Sequence, residues 1–516
     1  MQLGKPRKLK GLWRIIFSRF FVIGLIIIAQ IAAIVALYIW LGELIPFLTV
    51  FEIIFSFIMV FAVFNNGSMD NASKLTWLLI IAVLPVPGSL FLLFTRKNGL
   101  NRALSDNVAR MVAKTRDTIP QDPETAEELK ADPSGTALMD KYILRTNDLP
   151  VYKDTEVTYF SLGEYKYKAM LEELEKARKF IFMEYFIIEE GEMWGSILDI
   201  LVRKAKEGVD VRVMFDGLCE ISTLPDNYVA LLRNVGIKAH AFSPLTPLLS
   251  THYNYRDHRK ILVIDGNVAF NGGVNLADEY INRKERFGHW KDTAVMLRGR
   301  AVQSFTLLFL QMWNIYEKEP DFSQAQIPAE PVKAQGYVMP YGDCPLDGYK
   351  VGESIYTDIL YRANRYVHIM TPYLILDGEL ETALKYAAER GVDVRLILPG
   401  IPDKKAAYSL AKAHYRSLVA SGVKIYEYTP GFVHAKVVVS DDEKAVVGTI
   451  NFDYRSLYHH FECATYMYRT ACIPGIDADF LATQAKSRQV TPETIRNEKI
   501  SYKLMGAILK LIAPLF

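Results

Sequence analysis

Residues 258–275 read HRKILVIDGNVAFNGGVN, and residues 434–451 repeat the pattern as HAKVVVSDDEKAVVGTIN. Both stretches follow H-x-K, four residues, D, six residues and then G-x-x-N. The histidine, lysine, aspartate, glycine and asparagine therefore recur at unchanged spacing, which chance explains poorly within one chain. We expect this chain to carry the same functional motif twice.

The residues after each H-x-K are rich in β-branched side chains, which predicts a strand. Side chains two positions apart on a strand point to the same side. His258 therefore shares a face with Lys260, and His434 shares a face with Lys436. Each motif is predicted to present one imidazole and one fixed cation together.

The remaining motif positions have separate predicted roles. Asp265 and Asp441 belong to the catalytic motifs, but they fall at strand ends among turn-forming residues. We expect these aspartates to fix the turns rather than to touch substrate. Asn275 and Asn451 follow glycines after a second apolar run, so a neighbouring strand could bring each amide beside its histidine.

This set of groups suits phosphoryl chemistry. Lysines and asparagines can bind the non-bridging oxygens of a phosphodiester, while one histidine attacks phosphorus and the other protonates the leaving alcohol. The two histidines must act from opposite sides, so the motifs should meet at a shared interface and neither half should work alone. Zinc is disfavoured because the histidines accompany lysines instead of thiols. No metal or other cofactor is expected.

The paired motifs resemble the HKD motifs of the phospholipase D superfamily, and within it the sequence is most similar to bacterial cardiolipin synthases. Supporting stretches are MEYF at 183–186, GGVNLADEY at 272–280, HWKD at 289–292 and NFDYRS at 451–456. The likeness runs from about residue 151 to about residue 490. It is highly specific for the superfamily and less specific for the substrate.

The resemblance implies a phosphatidyltransferase that acts on phosphatidylglycerol. A covalent phosphohistidine would form on His258 with loss of glycerol, and a second phosphatidylglycerol would accept the group to give cardiolipin. His434 would then be the general acid and later the base, although motif symmetry alone leaves the two roles interchangeable. No G-x-x-x-x-G-K phosphate loop is present in the sequence, and none is needed for exchanging one phosphodiester for another.

Other functions share parts of this pattern. A membrane-bound phospholipase D hydrolase or another phosphatidyltransferase would carry every motif above. A phosphodiesterase acting on nucleic acid is disfavoured, because 60 Lys plus Arg against 58 Asp plus Glu give no polyanion-binding excess. A non-enzymatic membrane scaffold is disfavoured by two intact motifs. The expected partners are a phospholipid and a membrane, with no nucleic acid.

A nucleophilic imidazole needs a carboxylate to hold its tautomer. Glu462 matches the glutamate that serves this purpose in the superfamily, eleven residues after the motif asparagine. The same offset in the first half falls on Arg286, so Asp292 is the predicted substitute. An ordinary surface carboxylate is the alternative for both. Thr449 is predicted to place a hydroxyl beside the phosphate, which Gly273 cannot do.

A longer repeat precedes each motif. Residues 204–217 read KAKEGVDVRVMFDG and residues 387–400 read AAERGVDVRLILPG, a pattern of helix, glycine and strand. The predicted fold is therefore α/β, with two phospholipase D-like halves at residues 151–325 and 346–490 packed as a pseudo-dimer. Residues 326–345 would link the halves.

Residues 1–95 are predicted to be a membrane anchor that precedes these halves. Apolar runs occupy residues 20–41, 45–64 and 77–94, and about 20 residues suffice to cross a bilayer. Two or three transmembrane helices are expected. Basic residues on both flanks place the catalytic domain in the cytoplasm of a multi-pass cell-membrane protein. Buried helices of a soluble core are the alternative.

Two further segments complete the prediction. Residues 96–150 are polar, with several prolines, and are expected to form a linker. Residues 491–516 form an amphipathic tail, either an interfacial helix or a helix that docks on the fold. The four cysteines show no C-x-x-C spacing, which fits reduced thiols without a catalytic role.

Overall fold

The computed structural model describes residues 28–29, 32–33, 35–37, 39–40, 48–67, 69–96, 99–243, 255–327 and 329–515. From residue 48 onward, the described helices that precede the first strand are α1 (Leu48–Phe64), α2 (Asn71–Val83), α3 (Pro85–Arg96), α4 (Gly99–Lys114), α5 (Pro123–Ala131) and α6 (Thr136–Asn147). The first three pack around their own small apolar core. Residues 96–150, predicted as a linker, largely form the last three.

The prediction of N-terminal transmembrane helices is wrong. Within the described ranges, no helix combines the length and the apolar character that a bilayer crossing requires. The first apolar run, residues 20–41, lies largely outside the described residues. The second run forms α1, which has 17 residues. The third run is divided at Leu84, because α2 ends there and Pro85 opens a new helix. The predicted multi-pass arrangement has no support in these helices.

The first half is built on a seven-stranded sheet in the order β1-β9-β7-β6-β2-β3-β4. Strands β2, β3 and β4 run parallel, and the others join antiparallel. The elements of this half are β1 (Thr155–Phe160), α7 (Gly163–Lys176), β2 (Phe180–Tyr185), α8 (Glu192–Lys206), β3 (Asp210–Asp216), α9 (Cys219–Ser222), α10 (Tyr228–Asn234), β4 (Lys238–Phe242), β5 (Arg256–Asp257), β6 (Lys260–Ile264), β7 (Val268–Gly272), β8 (His289–Lys291), β9 (Ala294–Gly299) and α11 (Val302–Trp313).

The second half repeats this order as β10-β19-β17-β16-β11-β13-β14, with β20 added at the end. Its elements are β10 (Tyr337–Asp343), α12 (Val351–Arg362), β11 (Tyr366–Met370), β12 (Leu374–Ile375), α13 (Gly378–Glu389), β13 (Asp393–Pro399), α14 (Lys405–Ala420), β14 (Lys424–Tyr428), β15 (Gly431–Val433), β16 (Val437–Ser440), β17 (Lys444–Gly448), β18 (Phe452–Asp453), α15 (Tyr454–Tyr458), β19 (His460–Tyr468), α16 (Ile473–Gln484) and β20 (Ser487–Gln489). The chain thus has the mixed α/β fold with two halves that its repeats predict.

One apolar core extends across both halves. It contains Ile261 and Val263 of the first sheet together with Val437 and Val439 of the second. Continuous β-branched runs suit these strands because both faces of each strand are covered. The two sheets are therefore held in a fixed relation to each other, which positions the motifs they carry.

Side chains at the first turns explain where several helices begin. Asp70 accepts a hydrogen bond from the main-chain N–H of Ser73 at the start of α2. Asp377 does the same for Leu380 at the start of α13. Such caps satisfy N–H groups that have no partner inside the helix. The helices flanking the sheets therefore begin at positions encoded locally.

The tail forms α17 (Pro492–Arg496), α18 (Ile500–Lys510) and a final 3-10 helix (Ala513–Leu515). Helix α18 packs along α14 of the second half. The final 3-10 helix contacts α2. The C-terminal end of the described chain therefore lies against one of the N-terminal helices.

Candidate active site

Two short parallel strand pairs, each with one strand from either half, fix the positions of the two histidines. Strand β5 pairs with the start of β19, so that Asp257 lies opposite Phe461, and the next residue, His258, donates its main-chain N–H to the Phe461 carbonyl at 2.9 Å. Strand β15 pairs with β8 in the same way, and His434 donates its main-chain N–H to the Lys291 carbonyl at 2.7 Å. Each histidine is thereby seated on a strand of the opposite half.

This register brings each imidazole to a carboxylate of the other half. His258 Nδ1 lies 2.8 and 2.9 Å from the two carboxylate oxygens of Glu462. His434 Nδ1 lies 2.7 Å from Oδ2 of Asp292. All four side chains are buried. A carboxylate that accepts the Nδ1 proton leaves Nε2 of the same ring available for chemistry.

Each motif lysine lies against its own histidine. Lys260 Nζ donates to the main-chain carbonyl of His258, and Lys436 Nζ donates to that of His434. Burial lowers the pKa of Lys260 to about 8 and that of Lys436 to about 7. The positive charges at the site are therefore held in a poorly solvated environment, where an anion would bind strongly.

The histidines are held neutral. Burial first, and then the Lys436 ammonium, lower the pKa of His434 to about 4. Burial followed by Lys260 and His460 lowers the pKa of His258 well below its usual range. Burial raises the pKa of Glu462, an effect that Lys260 opposes. A neutral imidazole is the form in which Nε2 can act as a nucleophile or base.

The two motif asparagines differ in how many of their side-chain hydrogen-bonding groups are already used within the protein. Asn275 accepts a hydrogen bond at Oδ1 from the Ile187 main-chain N–H at 3.0 Å and donates from Nδ2 to the Tyr280 hydroxyl at 2.8 Å. Asn451 is buried, and its Oδ1 has no hydrogen-bond partner among the described residues. The second asparagine therefore keeps more of its capacity for a ligand.

Thr449 and Gly273 occupy equivalent motif positions. Thr449 forms a hydrogen bond with the Glu462 carboxylate, whereas Gly273 leaves space for the Asp292 carboxylate. The Thr449 hydroxyl donates to the Glu462 carboxylate and accepts the Cys463 main-chain N–H at 3.0 Å. Thr449 thus lies behind Glu462, whereas the sequence placed its hydroxyl beside the phosphate. A Cβ on Gly273 would fall 2.1 Å from Oδ1 of Asp292. The missing side chain makes room for that carboxylate.

Asp265 and Asp441 lie at the far ends of the motif strands. The Asp265 carboxylate accepts the main-chain N–H groups of residues 178, 179 and 180, and Asp441 accepts those of residues 364, 365 and 366. Both residues have positive φ, 53° and 57°. Six residues lie between each aspartate and its histidine, a span of about 23 Å in extended chain. The structure does not bring them to the reacting groups.

Aromatic residues that the motifs do not contain surround the two histidines. His460 lies two positions before Glu462, and its ring centroid is 5.1 Å from that of His258. Trp290 lies two positions before Asp292, and its ring centroid is 5.5 Å from that of His434. Sequence reasoning did not single out either ring. The shared offset from the two carboxylates is the signal that could have found them.

His460 could also serve in a metal group. His258, His460 and Glu462 offer ligand atoms within 4.8 Å of one another. The Nδ1 of His460 lies 3.5 Å from Glu462, and neither of its ring nitrogens has a hydrogen-bond partner in the described part of the chain. However, the Lys260 ammonium shares this buried space, and a dication beside it would be repelled. The donor set therefore suits a phosphate better than a metal ion.

Comparison with known proteins agrees with this geometry. The family model described as cardiolipin synthase, PLD-like domain, matches residues 170–313 and 356–483. A protein of Streptococcus mutans serotype c is 56% identical over 451 residues, covering 87% of this chain and 98% of its own length. The cardiolipin synthase of Alkalihalophilus pseudofirmus is 33% identical over 470 residues, covering 90% of this chain and 93% of its own length.

Among solved structures, the phosphatidylserine synthase of Haemophilus influenzae Rd KW20 superposes with a TM-score of 0.54. Its sequence is 14% identical, and the match covers 73% of this chain and all of that chain. At this identity the likeness concerns the fold. The two-half architecture is therefore shared with a solved phospholipid enzyme.

Proposed function

The chain belongs to the cardiolipin synthase family with a PLD-like domain and is a phosphatidyltransferase, and we propose that it makes cardiolipin from two molecules of phosphatidylglycerol. The observation that carries this proposal is the pair of crossed histidine–carboxylate contacts, His258 with Glu462 and His434 with Asp292. Both contacts engage Nδ1, and His434 is near enough to His258 for its charge to lower the pKa of that ring, which supports the use of the two Nε2 atoms in one exchange at phosphorus.

In the first step, Nε2 of His258 attacks the phosphorus of phosphatidylglycerol. The bond from phosphorus to the glycerol oxygen breaks, and His434 gives the proton of its Nε2 to that oxygen, so glycerol leaves as a neutral alcohol. The lowered pKa of His434 makes its protonated form a strong acid. A bound phosphate anion raises this pKa and loads the proton before the reaction.

In the second step, the terminal hydroxyl of another phosphatidylglycerol approaches the phosphohistidine. His434, now neutral, takes the hydroxyl proton while the oxygen bonds to phosphorus. The bond from phosphorus to His258 breaks, which restores the imidazole and releases cardiolipin. One phosphodiester has replaced another, so the exchange consumes no nucleotide.

The surrounding residues stabilise charge and hold the rings. Lys260 and Lys436 supply cationic donors to the non-bridging oxygens, whose charge grows during attack. Glu462 and Asp292 fix the Nδ1 tautomers and stabilise each imidazolium or phosphohistidine. The rings around His258 and His434 limit the entry of water, which would turn transfer into hydrolysis.

The test uses the full-length protein in mixed detergent micelles that contain phosphatidylglycerol and no nucleotide, with the lipids and glycerol quantified by mass spectrometry. Cardiolipin and glycerol should appear in equal amounts. The variants His258→Ala and His434→Ala should form neither product. His240→Ala, a histidine bonded to Glu317 outside the site, is the matched control and should retain activity. Phosphatidic acid as the only lipid product would identify a hydrolase instead.

A further inference from the structure

Helix α18 carries a line of exposed apolar side chains. Ile500, Leu504, Ile508, Leu511 and Leu515 are between 42% and 81% exposed. Their spacings of four, four and three residues keep Ile500, Leu504, Ile508 and the cap residue Leu511 on one side of α18, and Leu515 follows in the final 3-10 helix. We call these five residues the tail stripe. Large apolar side chains in a regular line on the outside of a protein usually mark a contact surface.

The opposite side of α18 packs tightly against α14. Gly506 is buried so closely against α14 that a Cβ there would lie 2.4 Å from the main-chain carbonyl of Ser409. The rings of Tyr502 and Tyr408 meet edge to face at 5.8 Å. Near its end, the main-chain carbonyl of Leu511 accepts a hydrogen bond from the Thr76 hydroxyl at 2.9 Å. The helix is therefore held in an orientation that turns the tail stripe outward.

The tail stripe continues onto α2, because Thr76 lies on that helix. Leu75, Leu79 and Val83 of α2 are between 42% and 69% exposed and are spaced four residues apart. Two segments that are more than 400 positions apart in sequence thus present apolar lines side by side. Leu75, however, also lines a cavity with the carboxylates of Glu353, Asp358 and Asp377, so only the tail stripe suits a negatively charged partner.

Basic side chains border this surface. Lys499, Lys503 and Lys510 are exposed, and α18 itself contains no acidic residue, although Lys510 lies 3.8 Å from the Glu381 carboxylate of α13. On a helical projection, Lys503 and Lys510 fall along one edge of the tail stripe, since each residue advances by about 100°. An apolar face with lysines at its edge is the pattern of helices that lie in the interface of an anionic bilayer.

The helix beneath α18 connects this surface to the reaction centre. Helix α14 begins beside Lys404, whose Nζ lies 5.1 Å from the centre of the Tyr373 ring. The Tyr373 ring lies 6.5 Å from that of Phe432, which in turn lies 5.9 Å from the His434 imidazole. A partner held on the tail stripe would thus be fixed relative to the wall of the site.

We propose that the tail stripe lies in the surface of an anionic phospholipid bilayer, inserted to about 5–10 Å without crossing it. The lysines contact the lipid phosphates, and the apolar residues contact the upper acyl chains. The benefit to catalysis rests on the proposed function, because a docked enzyme keeps its site at the depth of the substrate headgroups. The contact itself does not depend on which lipid is the substrate.

The contact is tested on the full-length protein with a tryptophan introduced at the stripe, Leu504→Trp, and vesicles whose phosphatidylglycerol carries brominated acyl chains. Bromine quenches tryptophan fluorescence only at close range. The fluorescence of the introduced tryptophan, taken as the difference between this variant and the wild type, should therefore fall when the vesicles are added. Leu481→Trp on α16, where the native leucine is 43% exposed, is the matched control and should not be quenched. Phosphatidylcholine vesicles should quench the Leu504→Trp variant less, because they lack the negative charge.

Three results would overturn the proposal. A Leu504→Trp variant that phosphatidylglycerol vesicles leave unquenched would exclude the lipid contact. If the emission wavelength of the same variant shows that the introduced tryptophan is shielded from water before lipid is added, another segment of the chain covers the stripe. A molecular mass that halves when the stripe is made polar would show that a second copy covers it. Light scattering on Leu504→Asp measures the last possibility.

A kinetic experiment separates docking from chemistry. The double variant Leu504→Asp and Ile508→Asp should lose about tenfold in rate on phosphatidylglycerol vesicles, as expected when binding weakens by about 1.4 kcal/mol. Its rate in mixed micelles, where substrate reaches the site without docking, should equal that of the wild type. Equal losses in both systems would contradict a docking role. Failure to form cardiolipin would refute the proposed function but leave the quenching result intact.

Discussion

The substitution Gly273→Ala uses a single methyl group to test the carboxylate support of one motif histidine, His434. A Cβ at this position would lie 2.1 Å from Oδ1, 2.9 Å from Cγ and 3.1 Å from Oδ2 of Asp292. Real Cβ contacts essentially never fall below 3.0 Å. The backbone at residue 273 has no positive φ that alanine would resist. The perturbation therefore acts on the Asp292 carboxylate.

The geometry gives the size of the effect. Relieving the contact requires the carboxylate to retreat by about 0.9 Å, and the bond to His434 would then lengthen from 2.7 Å to about 3.6 Å, outside hydrogen-bond range. A displacement of about 1 Å at a catalytic group can cost about 100-fold in rate, equivalent to about 2.7 kcal/mol. We expect kcat to fall by about this factor with a smaller change in KM, because Asp292 acts through His434.

The assay is cardiolipin formation in mixed micelles, with folding checked by thermal unfolding. Gly475→Ala is the matched control, since its Cβ meets no atom within 4 Å and its position lies inside α16. Asp292→Asn should lose a similar factor, and the double variant should lose little more than either alone, because both changes break one contact. A correctly folded Gly273→Ala enzyme with wild-type kcat would refute the reasoning.

Three further predictions follow from the same geometry. Glu462→Gln should lower kcat by about tenfold to a hundredfold in steady-state kinetics, because it removes the charge-assisted contact to His258, worth about 1.5–3 kcal/mol; an unchanged kcat would contradict this. The value of kcat/KM should fall as the pH rises through about 7. The pKa of Lys436 is lowered to about 7, so this lysine loses its positive charge in that range. Lys436→Arg, which stays charged, should move this fall to higher pH, and an unmoved fall would exclude Lys436 as its source. Asp441→Ala should destabilise the fold by about 2–3 kcal/mol in denaturant titration, because three main-chain N–H groups lose their acceptor, while the activity per folded molecule stays unchanged; a loss of activity without a loss of stability would instead give Asp441 a role in chemistry.

The internal repeats made much of the fold predictable. The two copies of the sequence repeat, which end at Gly217 and Gly400, predicted two α/β halves. The strand order of the second sheet does repeat that of the first. The β-branched runs after the two H-x-K sequences predicted strands, and β6 and β16 occupy them, whereas His258 and His434 lie just before these strands and not on them. Such features depend on neighbours in sequence and can be read from it.

Partners across the halves could not be read in this way. Asp292 and Glu462 were candidate orienting residues, but the sequence did not say which histidine each would meet. That choice depends on the pairing of β5 with β19 and of β15 with β8, short strands whose partners are distant in the chain. His460 was missed for the same reason, since its neighbour His258 belongs to the other half.

The transmembrane prediction failed for a different reason. Hydropathy sums over a run of residues and does not register where a helix stops. Residues 77–94 are apolar as a whole, but the chain leaves helical geometry at Leu84 and restarts at Pro85. The run therefore became two shorter helices, as proline at the first helical position commonly produces.

The exchange of carboxylates between the halves also governs when the chain becomes reactive. His258 meets a partner 204 positions away, and His434 meets one 142 positions away. Contacts of such long range form only after both sheets exist and have docked, because closing a long loop costs entropy that local structure does not repay. In an unfinished or damaged chain, the two imidazoles therefore lack their carboxylate partners. Folding to completion is the step that turns the protein from inert to active toward the lipids around it.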